Sequence, residues 1–255
     1  MSSVVFILGA GASKQSGAPL MGNFLDVAYD LLRSGAVKDT QVHFERVFDT
    51  IGKLQAVHSK AQLDLTNIET VFTAFVLGHI IQKLPGVSVE EIPQAIRSLK
   101  ELIVHTLEAT IKFPTRRSQI GVPEPYEQFA HLLNYLRAEA KPVHTVSVIT
   151  FNYDIAIDMA LFQANSGPDY VIEAAPGRYT QIGLMKLHGS LNWASVAETG
   201  AIKPVHLQSY FQHFSFRGFD EHGTCTVPIG SQIMEFFSET KGPKVSPEPV
   251  IVPPT

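Results

Sequence analysis

Cysteine is nearly absent. Cys225 is the only one in 255 residues, so no disulfide can form within the chain and no zinc site can be built on cysteine. That scarcity fits a reducing compartment. A basic excess is missing too. Lys and Arg number 20 against 24 Asp and Glu, a net charge of −4. Such a chain has no general attraction for a phosphate backbone, and direct nucleic-acid binding is not expected. Two small basic clusters, Arg116–Arg117 and Lys241 with Lys244, read as solvated loop charge. Long apolar runs are also lacking. The opening MSSVVFILGAGAS has one short apolar run and no basic flank before it, unlike a secretory signal. Nowhere does an uncharged apolar stretch reach the roughly 20 residues that a bilayer requires. The expectation is a cytoplasmic protein without membrane contact. Common catalytic signatures are absent as well: there is no G-x-S-x-G elbow, no HExxH and no other histidine spacing that suggests a metal.

What is present is a 45% hydrophobic chain, enough for one large core or a core with a smaller lobe. Val4–Leu8 is a β-branched apolar run stopped by Gly9, and it reads as a buried parallel strand. Leu20, Phe24, Ala28, Leu31 and Leu32 then recur at helical spacing. Four more helical stripes follow, over Phe44–Leu54, Ile68–Ile80, Ile92–Leu107 and Tyr126–Leu136. Segment Phe113–Pro125, punctuated by prolines and Gly121, reads as a loop. Strands are expected at Val143–Thr150, Tyr170–Glu173 and Leu184–Leu187, with a helix over Ile155–Phe162. Lys203–Phe219 is ambiguous, and the proline-rich tail from Lys241 reads as extended.

Alternating strands and helices predict an α/β fold with a doubly wound, mostly parallel, Rossmann-like sheet. Residues 1–40 and 141–255 form its core, and residues 41–140 form an inserted helical lobe. Roughly five strands can be counted, the last near Val250–Val252 without a helix after it. A parallel sheet needs cover on both faces. Continuation of the natural protein beyond Thr255, or completion by another chain, is therefore expected.

Three polar segments stand where strands end, the place where open parallel sheets gather ligands. In the first, Gly9-Ala10-Gly11-Ala12-Ser13 follows a strand. Glycines there let backbone N–H groups approach a diphosphate, and Ser13 can add a hydroxyl. The dinucleotide fingerprint G-x-G-x-x-G is not met, because Lys14 takes the place of the third glycine. In the second, Thr150-Phe151-Asn152-Tyr153-Asp154 closes an apolar run. Asn152 reads as a turn former or a ligand contact, and Asp154 as a helix cap or a ligand contact. In the third, His188-Gly189-Ser190 ends a strand shortly before the only tryptophan, Trp193.

Together these motifs resemble the sirtuins, and more closely the sirtuin-like NADase domains of bacterial antiphage defence proteins. The resemblance spans residues 4–193. It rests on Gly9-Ala-Gly-Ala-Ser13 with Ser16-Gly17-Ala18-Pro19, on Thr150-Phe-Asn-Tyr-Asp154, and on Leu187-His-Gly-Ser190. Asn67-Ile68-Glu69 and the Val250–Pro254 segment are similar to further landmarks of that group. The chain lacks the zinc cysteines of deacetylating sirtuins. The residues after Pro19 also differ from their Asp-Phe-Arg. Both differences favour plain NAD consumption over deacylation.

The resemblance implies an NAD glycohydrolase that splits NAD into nicotinamide and ADP-ribose, with NAD as substrate and no metal. It casts Asn152 as the residue that orients the ribose or the attacking water. His188 becomes the base against a ribose hydroxyl, a task that suits an imidazole of unperturbed pKa about 6.5. Gly9, Ala10, Gly11, Ala12, Ser13 and Gly17 would hold the diphosphate. Asp154 would bond the nicotinamide side, and Thr150, Phe151, Gly189 and Ser190 would complete the pocket. It further implies a toxic effector held off until triggered, working as a homo-oligomer or with a partner defence protein. The helical lobe would supply oligomer contacts or gate the pocket. The alternatives are a non-catalytic NAD or ADP-ribose sensor and a protein deacylase.

Overall fold

The computed structural model describes residues 4–57, 63–116, 119–139, 145–172, 182–213 and 223–252. Strand β1 (Val4–Leu8) leads into a 3-10 segment, Ala10–Ser16. Helices α1 (Phe24–Ser34), α2 (Gln41–Gln55), α3 (Ile68–Ile80) and α4 (Ile92–Thr110) follow. Next come two short strands, β2 (Phe113–Arg116) and β3 (Gln119–Ile120), helix α5 (Glu124–Glu139), β4 (Val146–Thr150) and α6 (Ala156–Gln163). The remaining elements are β5 (Gly183–Lys186), β6 (Gly189–Val196), β7 (Ile202–Pro204), α7 (Leu207–His213), β8 (Thr224–Cys225), α8 (Ile233–Glu239) and β9 (Val245–Ile251). No described helix is long and apolar enough to cross a membrane.

The described chain divides into two compact units. One takes the residues up to Ala18 and from Ile111 to Ile251, and the other runs from Pro19 to Thr110. This division differs from one at residues 40 and 140. Helix α1 packs on α2 and α4, whereas α5 packs on α6 and β4.

The Pro19–Thr110 unit is helical. Its core is Phe44 and Val47 from α2, Phe72 and Phe75 from α3, and Leu99, Leu102 and Ile103 from α4, each at most 1% exposed. Each such side chain contributes roughly 1.5–3 kcal/mol by leaving water. Helix α3 starts at Asn67, whose Oδ1 accepts from the backbone N–H of Glu69 at 2.8 Å and of Thr70 at 3.4 Å, satisfying donors that a helix start leaves unpaired.

The other unit holds a three-stranded parallel sheet in the order β1-β4-β5. Its register ends level: Leu8 pairs with Thr150, and Thr150 with Lys186. Strand β4 lies in the middle, and Val146 and Val148 face the core at 2% and 0% exposure. Helix α6 follows and is buried from Ala156 to Leu161, as an almost wholly apolar helix must be.

Several expectations are corrected. Strand β1 was expected to be buried, yet it sits at the edge of the described sheet with Val5 52% and Ile7 68% exposed. The strands after His188 are not parallel. Strand β6 pairs antiparallel with both β7 and β9; for β7 the connection is far too short for the crossover a parallel partner requires. Phe113–Pro125 is not all loop: β2 pairs antiparallel with β3 and β8. The expected strand at Tyr170 is a single bridge from Asp169 to Gly183. There Asp169 Oδ1 accepts from the Val171 N–H at 3.1 Å and turns the chain, with Val171 at φ +54°. Glu173, Arg117 and Pro253–Pro254 lie outside the described residues. The ambiguous Lys203–Phe219 stretch gives the end of β7 and all of α7, and the tail forms β9.

Candidate functional site

The site is built where β1, β4 and β5 end. Gly9 stands at the entrance of the 3-10 segment, and Gly17 closes it in the left-handed region at φ +95°, a conformation that favours glycine. Gly9 and Gly11 are different. Neither has a left-handed φ, and a Cβ built on either meets no atom within 4 Å. Packing of the described protein therefore does not require glycine at these positions, whereas close approach of another molecule to the backbone would.

Asn152 binds this loop. Its Nδ2 donates to the Gly9 carbonyl at 3.0 Å and to Ser13 Oγ at 3.1 Å. Its own N–H donates to Thr150 Oγ1 at 3.1 Å, and the Phe151 N–H donates to the Leu8 carbonyl at 3.2 Å. The Ser13 hydroxyl, 1% exposed, donates to Asp154 Oδ2 at 2.6 Å and lies 2.8 Å from Tyr126 OH. Asp154 is itself buried, and its Oδ1 accepts from the Ala156 N–H at 2.8 Å at the start of α6. Both carboxylate oxygens are thus engaged inside the protein: Asp154, which precedes the N-cap Ile155, satisfies one backbone donor at the start of α6 and ties down the loop. Burial raises the Asp154 pKa above the usual carboxylate range, against the opposing pull of Lys186 and the Ser13 hydroxyl. Burial, then the charge of Asp154, pushes the Tyr126 phenol well above its ordinary value.

The third motif meets the second. His188, half-buried, lies with its ring 5.3 Å from that of Phe151 and 6.0 Å from that of Tyr153. The Leu187 N–H donates to the Thr150 carbonyl at 3.0 Å, and the Leu191 N–H to the Tyr153 carbonyl at 3.0 Å. Gly189 has φ +85°, and a Cβ there would stand 1.9 Å from the Val250 carbonyl oxygen. Here glycine is an architectural necessity of the β6–β9 pairing. Ser190 is fully buried and donates to Asn192 Oδ1 at 2.6 Å.

The fold therefore brings Gly9–Ser13, Thr150–Asp154 and His188–Ser190 to one end of the parallel sheet. Ala10, Gly11 and Ala12 lie in the 3-10 segment, where Gly11 is exposed and the Ala12 N–H donates to the Gly9 carbonyl at 3.0 Å, while Ser13, Thr150, Asp154 and Ser190 are buried. Sequence reading missed Tyr126, Lys186, Asp158, Tyr170 and Asn192. Lys186 Nζ donates to Asp158 Oδ2 at 2.8 Å and to the Asp154 carbonyl at 2.5 Å. Tyr170 OH donates to Asp158 Oδ1 at 2.6 Å and accepts from Asn192 Nδ2 at 2.8 Å. One signal was available: Lys186 and Asp158 are single charges within apolar runs, and a buried charge demands a partner. Among the described residues no three His, Cys, Asp or Glu side chains gather where they could hold a metal ion.

No protein-family model matches the chain, and no curated protein matches it.

Proposed function

We propose that this protein is an NAD glycohydrolase whose diphosphate-binding loop is Gly9–Ser13 and whose cleaving residues are Asn152 and His188. The observation that carries the reading is the loop itself. It lies at the carboxyl end of a parallel strand, holds two glycines that the described protein does not need for its own packing, and is hydrogen-bonded to Asn152. Backbone N–H groups in such a loop suit a diphosphate. The sheet is read as the core of a doubly wound, Rossmann-like fold.

In the proposed reaction, water oxygen bonds to the anomeric carbon of the nicotinamide-bearing ribose. The carbon–nitrogen bond breaks, its electron pair leaves with nicotinamide, and one proton is released. The charge that develops on the ribose in the transition state is met by His188 acting as base toward a ribose hydroxyl. Both amide hydrogens of Asn152 are committed to the loop, so its contact with ribose or water goes through Oδ1. No metal takes part in this scheme, and NAD is consumed. The proposed setting is cytoplasmic, as a toxic effector of bacterial antiphage defence that acts as a homo-oligomer or with a partner defence protein.

A second reading is favoured by one observation. Asn152 and Asp154 both have structural duties at the loop, which a non-catalytic NAD or ADP-ribose sensor would retain equally well. Incubation with NAD and measurement of nicotinamide release separates the two. Release supports the glycohydrolase, and binding of NAD without release supports the sensor.

A further inference from the structure

Lys186 is the last residue of the otherwise uncharged strand β5, and its side chain is wholly buried against Asp158, itself 1% exposed. A buried ion pair of this kind rarely adds stability over apolar side chains of similar volume, because both charges lose their hydration. The reason for keeping it lies in what it joins. The ammonium has three donors. One reaches Asp158 Oδ2 in α6 and another the Asp154 carbonyl in the turn after β4.

Both ends of this clamp continue. The Asp154 carboxylate takes the Ser13 hydroxyl, and Ser13 Oγ accepts from Asn152 Nδ2. Asp158 Oδ1 accepts from Tyr170 OH, Tyr170 accepts from Asn192, and Asn192 Oδ1 accepts from Ser190. A continuous chain of hydrogen bonds thus runs from Asn152 in one strand-end motif to Ser190 in the other, with Lys186 near its centre. The backbone adds a second tie, since Lys186 is the register partner of Thr150.

We infer that Lys186 is a positioning residue, which through Asp154 and Asp158 fixes the strand end bearing Asn152 against the strand end bearing His188. The inference rests on the reading of those two residues as the pair that cleaves NAD. Misplacement of reacting groups by about 1 Å costs on the order of 10²-fold in rate, so a clamp on both strand ends acts on the chemical step more than on binding.

The test is the double variant Lys186→Met with Asp158→Asn, which removes both charges and leaves Tyr170 an acceptor. Its melting temperature is expected near that of the wild type, with kcat for nicotinamide release down roughly 10- to 100-fold and KM for NAD little changed. A kcat equal to wild type in the folded double variant overturns the inference, as does a loss confined to KM. If the double variant does not fold, Tyr170→Phe takes its place. That change removes one hydroxyl from the same chain and is expected to lower kcat by a smaller factor at constant KM, and an unchanged kcat again overturns the inference. Wild-type protein that releases no nicotinamide sinks the glycohydrolase reading instead. The clamp is then judged by nuclear magnetic resonance. The Asn152 side-chain amide signals, assigned by their loss in Asn152→Ala, should move in the charge-free double variant or in Tyr170→Phe. Unmoved signals reject the clamp.

Discussion

Thr150 stands opposite Lys186 at the last register pair of the parallel sheet, and Asn152 and His188 each lie two residues beyond it. Neither residue is adjacent to the other in sequence, yet the shared register delivers both to one edge. The neighbour of Asn152 in sequence, Phe151, has its ring 5.3 Å from that of His188.

Substitution at this edge should separate chemistry from folding. His188→Ala is expected to lower NAD cleavage by roughly 10²–10⁴ while leaving thermal stability nearly unchanged. Asn152→Ala should lose cleavage as well. It also breaks the bonds to Gly9 and Ser13 and is expected to cost about 1–3 kcal/mol of stability. Nicotinamide release and urea denaturation of the purified variants measure the two effects. Near-wild-type turnover in either variant would remove that residue from the cleaving pair.

The glycines divide into two kinds with opposite expected behaviour. A methyl group at Gly11 meets open space and no positive φ. Gly11→Ala should therefore be neutral or stabilising by about 0.4–1 kcal/mol, yet weaken NAD binding by obstructing the loop. Gly189→Ala drives a Cβ into the Val250 carbonyl at φ +85°, and at least about 2 kcal/mol of destabilisation is expected. Calorimetric titration with NAD and equilibrium unfolding distinguish them, and a Gly11→Ala variant that binds NAD like the wild type contradicts the loop assignment.

Ser13→Ala tests the loop's anchorage. It removes the hydroxyl that serves Asp154, Tyr126 and Asn152 at once. Buried partners left unsatisfied cost roughly 1–3 kcal/mol. A variant as stable as the wild type would show that these bonds are not formed in solution.

Asp154 makes stability depend on pH. Its folded pKa is raised above the ordinary 3.8, chiefly by burial. Between that ordinary value and the raised one, the folded state binds more protons than the unfolded state, so this group's contribution to stability falls as pH rises through the window. Asp154→Asn cannot ionise. Stability of the wild type relative to this variant is therefore expected to decline on going from below pH 3.8 upward, and to level off above the raised value. Parallel pH profiles for the two proteins would contradict the raised pKa.

The sheet end was legible from sequence because its signals are local. A β-branched run halted by Gly9, an apolar run closed by Asn152, and a strand ended by His188 each carry their own punctuation. Lys186 and Asp158 were harder to read, because their meaning lies in a pairing across 28 positions that no local period encodes. The antiparallel direction of β6 was hidden for a similar reason. It is set by β7 and by β9, and β9 lies some 50 residues further on. Glycine at position 189, which the resemblance casts as part of the pocket, has a structural role set by the close approach of Val250, and Val250 is too distant in sequence for any local pattern to show it.

The pairing of Val4 with Val146 has a consequence for how the molecule comes into being. A ribosome that has released β1 must add about 140 more residues before the strand's partner exists, a delay on the order of ten seconds at roughly 5–20 residues per second. The helical unit from Pro19 to Thr110 is compact through its own contacts and is complete well before that moment. During translation the glycine loop is thus made first and assembled late. Its meeting with Asn152, 143 positions after Gly9, waits until the helical unit has been synthesised.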